Sequence, residues 1–485
     1  MTSEIDVVQS APTQLLIGGT WRDAAGGATL PVEDPSTGQT LTDVASASPD
    51  DALDALAAAD AAGGEWASHP PRARGEILRR AYEAMTAQAD DLALLMTLEM
   101  GKSLAESRAE VLYAAEFFRW FGEEAVRIAG RWSNEPGGSG RLLTMKQPVG
   151  PCLLVTPWNF PLAMGTRKIG PAIAAGATMV VKPAQQTPLS MYALAAILAE
   201  AGLPDGVLNV ITSSSASSVV GPLVNDPRLR KLSFTGSTEV GRSLMAQASG
   251  RLLRLSMELG GNAPFLVFED ADLDAAVDGA VVAKTRNMGQ SCVAANRFHV
   301  HASVAAQFTE RLAARLGALR VGRGSEPGTD IGPLIDGKQR DAVVELVADA
   351  TDRGARVAVG GSAGSGPGYF FEPTVLGDVP PGARVLSEEI FGPVAPVATF
   401  ETEAEALAAA NDSDFGLVAY VYTTDLKRAL RVVEGLQTGM VGLNRGLVSN
   451  PAAPFGGVKQ SGFGREGGFE GIEEYLSTKY VAVDL

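Results

Sequence analysis

From residue 151 the chain alternates between short apolar runs and longer amphipathic stretches. The runs "CLLV" (152–155), "TMVV" (178–181), "VLNVI" (207–211) and "KLSF" (231–234) are each bounded by turn residues. Helix-compatible stretches such as 188–202 and 237–248 follow them. This spacing predicts βαβ units and a parallel sheet with helices on both faces. A second alternating block starts near 264, with strand candidates "PFLVF", "RFHVH", "PVATF", "VAYVY" and "MVGLN". The pattern therefore predicts an α/β chain with two parallel-sheet units. Ligands are expected at the carboxyl ends of the strands.

The first 150 residues read differently. Residues 1–40 suggest short strands and turns, with a Gly18-Gly19 hairpin in "QLLIGGTWRD". Residues 48–130 read as helices. Ser48-Pro49-Asp50-Asp51 is a start signal, combining a hydroxyl cap, an early proline and acids at the positive helix end. Ile77, Leu78, Ala81 and Met85 recur at helical spacing, and Phe117, Phe118, Trp120 and Phe121 are expected in core or subunit packing. "NEPGGSGR", within 130–147, breaks the helical pattern and reads as a turn in an excursion. The β-prone tail "TKYVAVDL" (478–485) needs a pairing partner, either in this chain or in another subunit. "GGSAGSGPG" (360–368) reads as a surface loop.

Charge and cysteine content narrow the function classes. The 485 residues carry 56 acidic and 40 basic side chains, a formal charge of −16. A nucleic-acid backbone binder would show the opposite balance. No apolar stretch is long enough to predict a membrane span, and the amino-terminal residues do not resemble a secretory leader. Two cysteines, Cys152 and Cys292, exclude a disulfide scaffold and fit a reducing, cytoplasmic setting. Three histidines leave little material for a metal centre. His299 and His301 read as strand residues, so no metal is expected.

Several residues have chemical potential. No G-x-G-x-x-G follows a strand. Instead, Thr235-Gly236-Ser237-Thr238 joins a strand to a helix start, where free N–H groups favour an anion. Lys182 and Gln185 lie just past another strand end. Cys292, in Gly-Gln-Ser-Cys, has small polar flanks, whereas Cys152 sits in an apolar strand and reads as inert. A free thiol is only a few per cent thiolate at neutral pH, so Cys292 would need a base or a positive field to act as a nucleophile.

"TPWNFPL" (156–162), "KPA" (182–184), "FTGSTEVG" (234–241), "ELGG" (258–261), "GQSC" (289–292), "EEIFGPV" (388–394) and "PFGGVKQSGFGRE" (454–466) occur in that order. Together they resemble the aldehyde dehydrogenase superfamily over nearly the whole chain. The resemblance implies two Rossmann-like α/β domains and a small β extension for oligomerisation. The dinucleotide domain would comprise 1–125 and 147–258, the catalytic domain 259–470, and the extension 126–146 and 471–485. It also implies a homo-dimer or homo-tetramer. Cys292 would be the nucleophile, Asn159 and the Cys292 N–H the oxyanion site, Glu258 the general base, and Glu466 a second glutamate behind it. Trp158, Lys182, Gln185, Gly236, Ser237, Glu389 and Phe391 would hold NADP or NAD.

Arg167, Arg286 and Ser449 match positions that succinate-semialdehyde dehydrogenases use for the substrate carboxylate. Two guanidinium groups and a hydroxyl suit that anion. If a helix began at Asn159, Arg167 would lie about two turns further along the same side. Gln185, in place of a glutamate, implies NADP as the preferred cofactor. Arg445 departs from the acidic residue common in this loop of close relatives; it either adds a third positive charge, admits a five-carbon substrate such as glutarate semialdehyde, or faces solvent. A CoA-acylating or broad-range dehydrogenase, a cysteine hydrolase or acyltransferase without redox chemistry, and a silent relative are the other readings.

Overall fold

The computed structural model describes residues 3–484. Five parallel strands form the centre of an eight-stranded sheet: β1 (Cys152–Val155), β2 (Met179–Lys182), β3 (Leu208–Val210), β4 (Lys231–Thr235) and β5 (Arg254–Glu258), in the order β3-β2-β1-β4-β5. Antiparallel strands close both edges. The hairpin Leu15–Ile17/Thr20–Arg22 turns at Gly18-Gly19 as expected, and Gly462–Phe463 returns from late in the chain. Strand order reverses at β1, whose neighbours are β2 and β4. A crevice opens there at the carboxyl ends, and the chain leaving β1 runs into Thr156–Asn159 beside it.

Alternation along the strands explains how both faces are covered. Leu153, Val180 and Leu232 pack with Ala52, Leu56 and Val219 on one face. Leu154, Met179 and Val181 pack with Leu78, Met85 and Phe117 on the other. The helix α1 (Leu104–Glu124) buries Phe117, Phe118 and Phe121 in this second layer. These aromatics are therefore core within the chain.

The next helix, α2 (Ala163–Ala175), begins four residues after Asn159. The helical-face relation expected between Asn159 and Arg167 therefore does not hold. Asn159 lies in the irregular segment before the helix, because the Glu110 carboxylate accepts the Leu162 and Ala163 N–H groups at 3.0 and 3.1 Å and fixes the helix start there. The helix α3 (Thr238–Ser249) starts at Ser237, whose hydroxyl accepts from Val240 N–H.

The second sheet has seven strands. At its centre lie β6 (Ala263–Val267) and β7 (Ala295–His301), which run parallel. The helix α4 (Leu273–Thr285) joins them, and the 3₁₀ turn Arg286–Gly289 leads to Cys292, at the amino end of β7.

A third, antiparallel sheet unites Arg131–Asn134, Gly140–Pro148 and Leu476–Asp484. The terminal strand therefore finds its partner in its own chain, along the full length of Gly140–Pro148. Leu485, the last residue of the predicted strand, lies outside the described residues. One expectation fails near the start. Residues 4–10 form a helix, Glu4–Ser10, capped by Ser3 and held by buried Val7 and Val8. Seven residues are too few for helical periodicity to show.

Candidate active site

The two large sheets meet at a cavity of about 340 Å³. Its walls include Trp158 and Asn159 after β1, Gly236 and Ser237 at the start of α3, and Cys292, Glu389 and Phe391 from the other unit. Trp158 and Phe391 stack edge to face with ring centres 5.4 Å apart. Lys182 and Gln185 do not line this cavity. Lys182 ends β2 and Gln185 follows it, and this end is joined to the exit of β1 where Thr156 N–H donates to Lys182 O at 3.2 Å. The Lys182 side chain has no ion-pair partner among the described residues, and burial lowers its pKa to about 8. Gln185 is exposed.

A narrow second cavity of about 10 Å³ lies on the other side of Cys292. Arg167, Arg286, Ser449, Tyr113, Phe160 and Phe455 surround it. Arg286 donates to Ser449 Oγ at 3.3 Å, and its guanidinium lies over the rings of Phe160 (5.0 Å) and Tyr113 (5.7 Å). It forms no ion pair among the described residues. Arg167 differs, because it is ion-paired with Glu466 and stacks on Phe455 at 4.2 Å. The structure thus brings both arginines together with Ser449, but only Arg167 is in a direct ion pair among the described residues. Arg445 is exposed and does not line this space. Tyr113 and Phe160 were not anticipated. Phe160 directly follows Asn159 in the "TPWNFPL" motif and was legible there, whereas nothing local to Tyr113 marks it.

Cys292 is half-buried and Cys152 fully buried. Burial pushes the Cys292 thiol up to about 12; Arg167 pulls it down, and Glu389 and Glu258 push it up. Burial thus favours the neutral thiol, and the Arg167 charge works against that. Gly261 is required beside it, because a Cβ there would lie 2.2 Å from Cys292 O. Asn159 is 4% exposed, and its Nδ2 donates to Gln290 O at 3.0 Å. The Cys292 backbone N–H bonds its own thiol and lowers the thiol pKa against the effect of burial. Asn159 and Cys292 line the same cavity.

Glu258 ends β5, is 3% exposed, and has no hydrogen-bond partner on either carboxylate oxygen. Burial, then the charge of Glu466, raises its pKa well above the ordinary carboxylate value. Glu466 titrates in the opposite direction. Arg167 and Lys168 both contact it and hold its pKa low against the cost of burial. This buried pair of carboxyls is therefore split into one that protonates easily and one that stays ionised. Glu389 accepts from Gly261 N–H at 2.9 Å, and burial raises its pKa to about 7.

A partly buried thiol, the Asn159 amide, an unpartnered carboxyl and an aromatic-walled cavity at a helix start converge between the two sheets. The aldehyde dehydrogenase family model matches residues 21–481. The chain belongs to the aldehyde dehydrogenase family. It is 60% identical to a succinate-semialdehyde dehydrogenase of Paenarthrobacter nicotinovorans, over 91% of this chain and 98% of that one. It is 50% identical to a glutarate-semialdehyde dehydrogenase of Pseudomonas aeruginosa, over 97% of each. A crystal structure of an NADP-dependent enzyme from Escherichia coli superposes with a TM-score of 0.97 at 50% identity, covering 98% of each chain. The fold is that of the family, with two Rossmann-like α/β units and a β extension. No group of three or more histidine, cysteine or carboxylate side chains suited to a metal exists among the described residues. No helix there is long and apolar enough to cross a membrane.

Proposed function

We propose that this aldehyde dehydrogenase oxidises succinate semialdehyde to succinate, with NADP as the preferred cofactor and no CoA. The observation that carries this reading is the unpaired Arg286 guanidinium beside Ser449, across a narrow cavity from Cys292. A four-carbon semialdehyde carries its carboxylate to Arg286 and Ser449 while its carbonyl carbon meets the thiol. Arg167, already shared with Glu466, contributes one side of its guanidinium, whose Nη2 is buried without a partner. A neutral aldehyde would leave Arg286 unsatisfied, which is the origin of the specificity.

Cys292 gives up its thiol proton to solvent, and its Sγ then attacks the carbonyl carbon. Negative charge develops on the aldehyde oxygen, where Asn159 Nδ2–H and the Cys292 N–H donate to it. One such donor is worth roughly 3–4 kcal/mol. The chemistry that NADP supplies when bound is hydride acceptance. Trp158, Gly236, Ser237, Glu389 and Phe391 would hold it, with the free N–H groups of α3 toward its phosphates. Glu258 then takes a proton from water, which attacks the Cys292 thioester. Glu466 keeps its charge on Arg167 and Lys168 throughout, and so keeps the Glu258 pKa in a range useful for a base.

Gln185 supports NADP over NAD. A glutamate there would repel a 2′-phosphate by about 4 kcal/mol per charge pair at 4 Å and an effective dielectric of 20, whereas glutamine does not. The nearby unpaired Lys182 suits the phosphate. Glutarate semialdehyde is the second substrate considered, because a relative named for it is 50% identical over nearly the whole chain. We assign 1–125 and 147–258 to cofactor binding, 259–470 to catalysis, and the three-stranded extension to contacts in a cytoplasmic homo-oligomer.

The test is a set of initial rates for succinate semialdehyde, glutarate semialdehyde and propanal, each with NADP and NAD and without CoA. The expected result is the highest kcat/KM for succinate semialdehyde with NADP. Equal efficiency for propanal would refute the carboxylate site. A need for CoA would refute the hydrolytic chemistry.

A further inference from the structure

Three consecutive residues ahead of the Cys292 loop have left-handed backbone: Asn287 (φ 57°, ψ 37°), Met288 (φ 55°, ψ 27°) and Gly289 (φ 72°). Two adjacent non-glycine residues in this region are uncommon, and such strain persists only where the surroundings hold it. The holding contacts are specific. Glu106, in the first turn of α1, accepts the Asn287 backbone N–H on Oε1 at 2.7 Å. The Asn287 side chain donates to Asn159 O at 2.9 Å and to Gln290 O at 2.8 Å. Met288 is fully buried.

Glu110 stands one turn beyond Glu106 on α1, and Lys102 lies just ahead of the helix cap Ser103. Lys102 donates to Asn159 O at 2.9 Å and is ion-paired with Glu110, which in turn fixes the start of α2. One face at the start of α1 therefore touches both segments that supply the oxyanion donors. Glu106 alone reaches the segment that carries Arg286 and Cys292.

We infer that Glu106 is a positioning residue for the reaction. Through the Asn287 N–H it holds the left-handed turn, and the turn sets where the Cys292 N–H and thiol stand relative to Asn159. Glu106 touches neither thiol nor cofactor cavity. Toward Asn287 its role is that of a hydrogen-bond acceptor, which the amide oxygen of glutamine can keep. The inference rests on Cys292 being the nucleophile.

The experiment compares Glu106→Ala and Glu106→Gln by kcat and KM for propanal and succinate semialdehyde, by the rate of Cys292 alkylation with iodoacetamide, and by Tm. In Glu106→Ala, kcat should fall about a hundredfold for both aldehydes, as expected when reacting groups shift by about 1 Å. KM for propanal should stay within about threefold of wild type, and the alkylation rate should change. Glu106→Gln should recover at least about tenfold of the lost kcat, because it retains the acceptor. Wild-type kcat in folded Glu106→Ala, or a Gln variant as impaired as the Ala variant, would overturn the inference. If Glu106→Ala does not fold, Glu106→Asp withdraws the acceptor by one methylene. A kcat loss of tenfold or more there supports the inference, and wild-type kcat overturns it. Cys292→Ala run in parallel separates the two readings. If that variant turns over, the nucleophile assignment fails, whereas the Ala/Gln contrast at Glu106 still reports on the turn.

Discussion

Arg286→Ala removes the one guanidinium at the narrow cavity that has no acidic partner in the free protein. Arg286 bonds only Ser449, at 3.3 Å, and otherwise lies on the Phe160 and Tyr113 rings. Its loss withdraws a cation from the field of the buried Glu106 carboxyl but breaks no ion pair among the described residues, so the fold should tolerate it. A hydrogen bond to a charged group is worth about 1.5–3 kcal/mol. At about 1.4 kcal/mol per decade, kcat/KM for succinate semialdehyde should fall about tenfold to a hundredfold. Propanal makes no such bond and should change by less than about threefold on the same reasoning. Arg167→Ala is a different experiment. It strips one of two cations from the buried Glu466, and breaking such a pair costs about 3–5 kcal/mol of stability. That variant should therefore lose Tm as well as activity toward both aldehydes. The assay is initial rates over a concentration series for both substrates, with Tm measured alongside. Equal losses for the two aldehydes in Arg286→Ala, or no loss for succinate semialdehyde, would refute the argument.

Three further outcomes are expected. Cys292→Ala should abolish turnover while Cys152→Ala retains most of it, because the Cys152 thiol is fully buried in β1 and, unlike Cys292, lines neither cavity; survival of the first variant in steady-state rates would sink the assignment. Single-turnover deacylation should rise with pH through a value above the ordinary carboxylate range. The Glu258 base is active only when ionised and its pKa is raised by burial and by Glu466, so activity falls as pH drops through that raised pKa, and Glu258→Gln should erase the limb. Gln185→Glu should move the kcat/KM ratio from NADP toward NAD, and an unchanged ratio would remove Gln185 from cofactor choice.

The alternation of apolar runs made both parallel units legible, because each central strand is buried on two faces and its helices follow at regular intervals. The motif residues Asn159, Glu258, Cys292 and Glu389 were legible as well, and they converge although they come from four separate segments. What escaped was set by distant contacts. Glu110 fixes the start of α2 from some fifty residues away, so the helical relation drawn between Asn159 and Arg167 failed. The ion pair of Arg167 with Glu466 spans the chain, and nothing near residue 167 discloses it. The left-handed turn at Asn287–Gly289 is likewise imposed by tertiary contacts, since only Gly289 carries a local signal for it.

The central claim is a thioester on Cys292 that Glu258 helps water to release. Glu258→Gln should form that thioester and fail to clear it. Mixed with succinate semialdehyde and NADP, this variant should release about one equivalent of reduced cofactor per site and then stall. Mass spectrometry of the digested protein should find the succinyl group on the peptide carrying Cys292. Continued turnover, a stall without an adduct, or an adduct on any other residue would contradict the account.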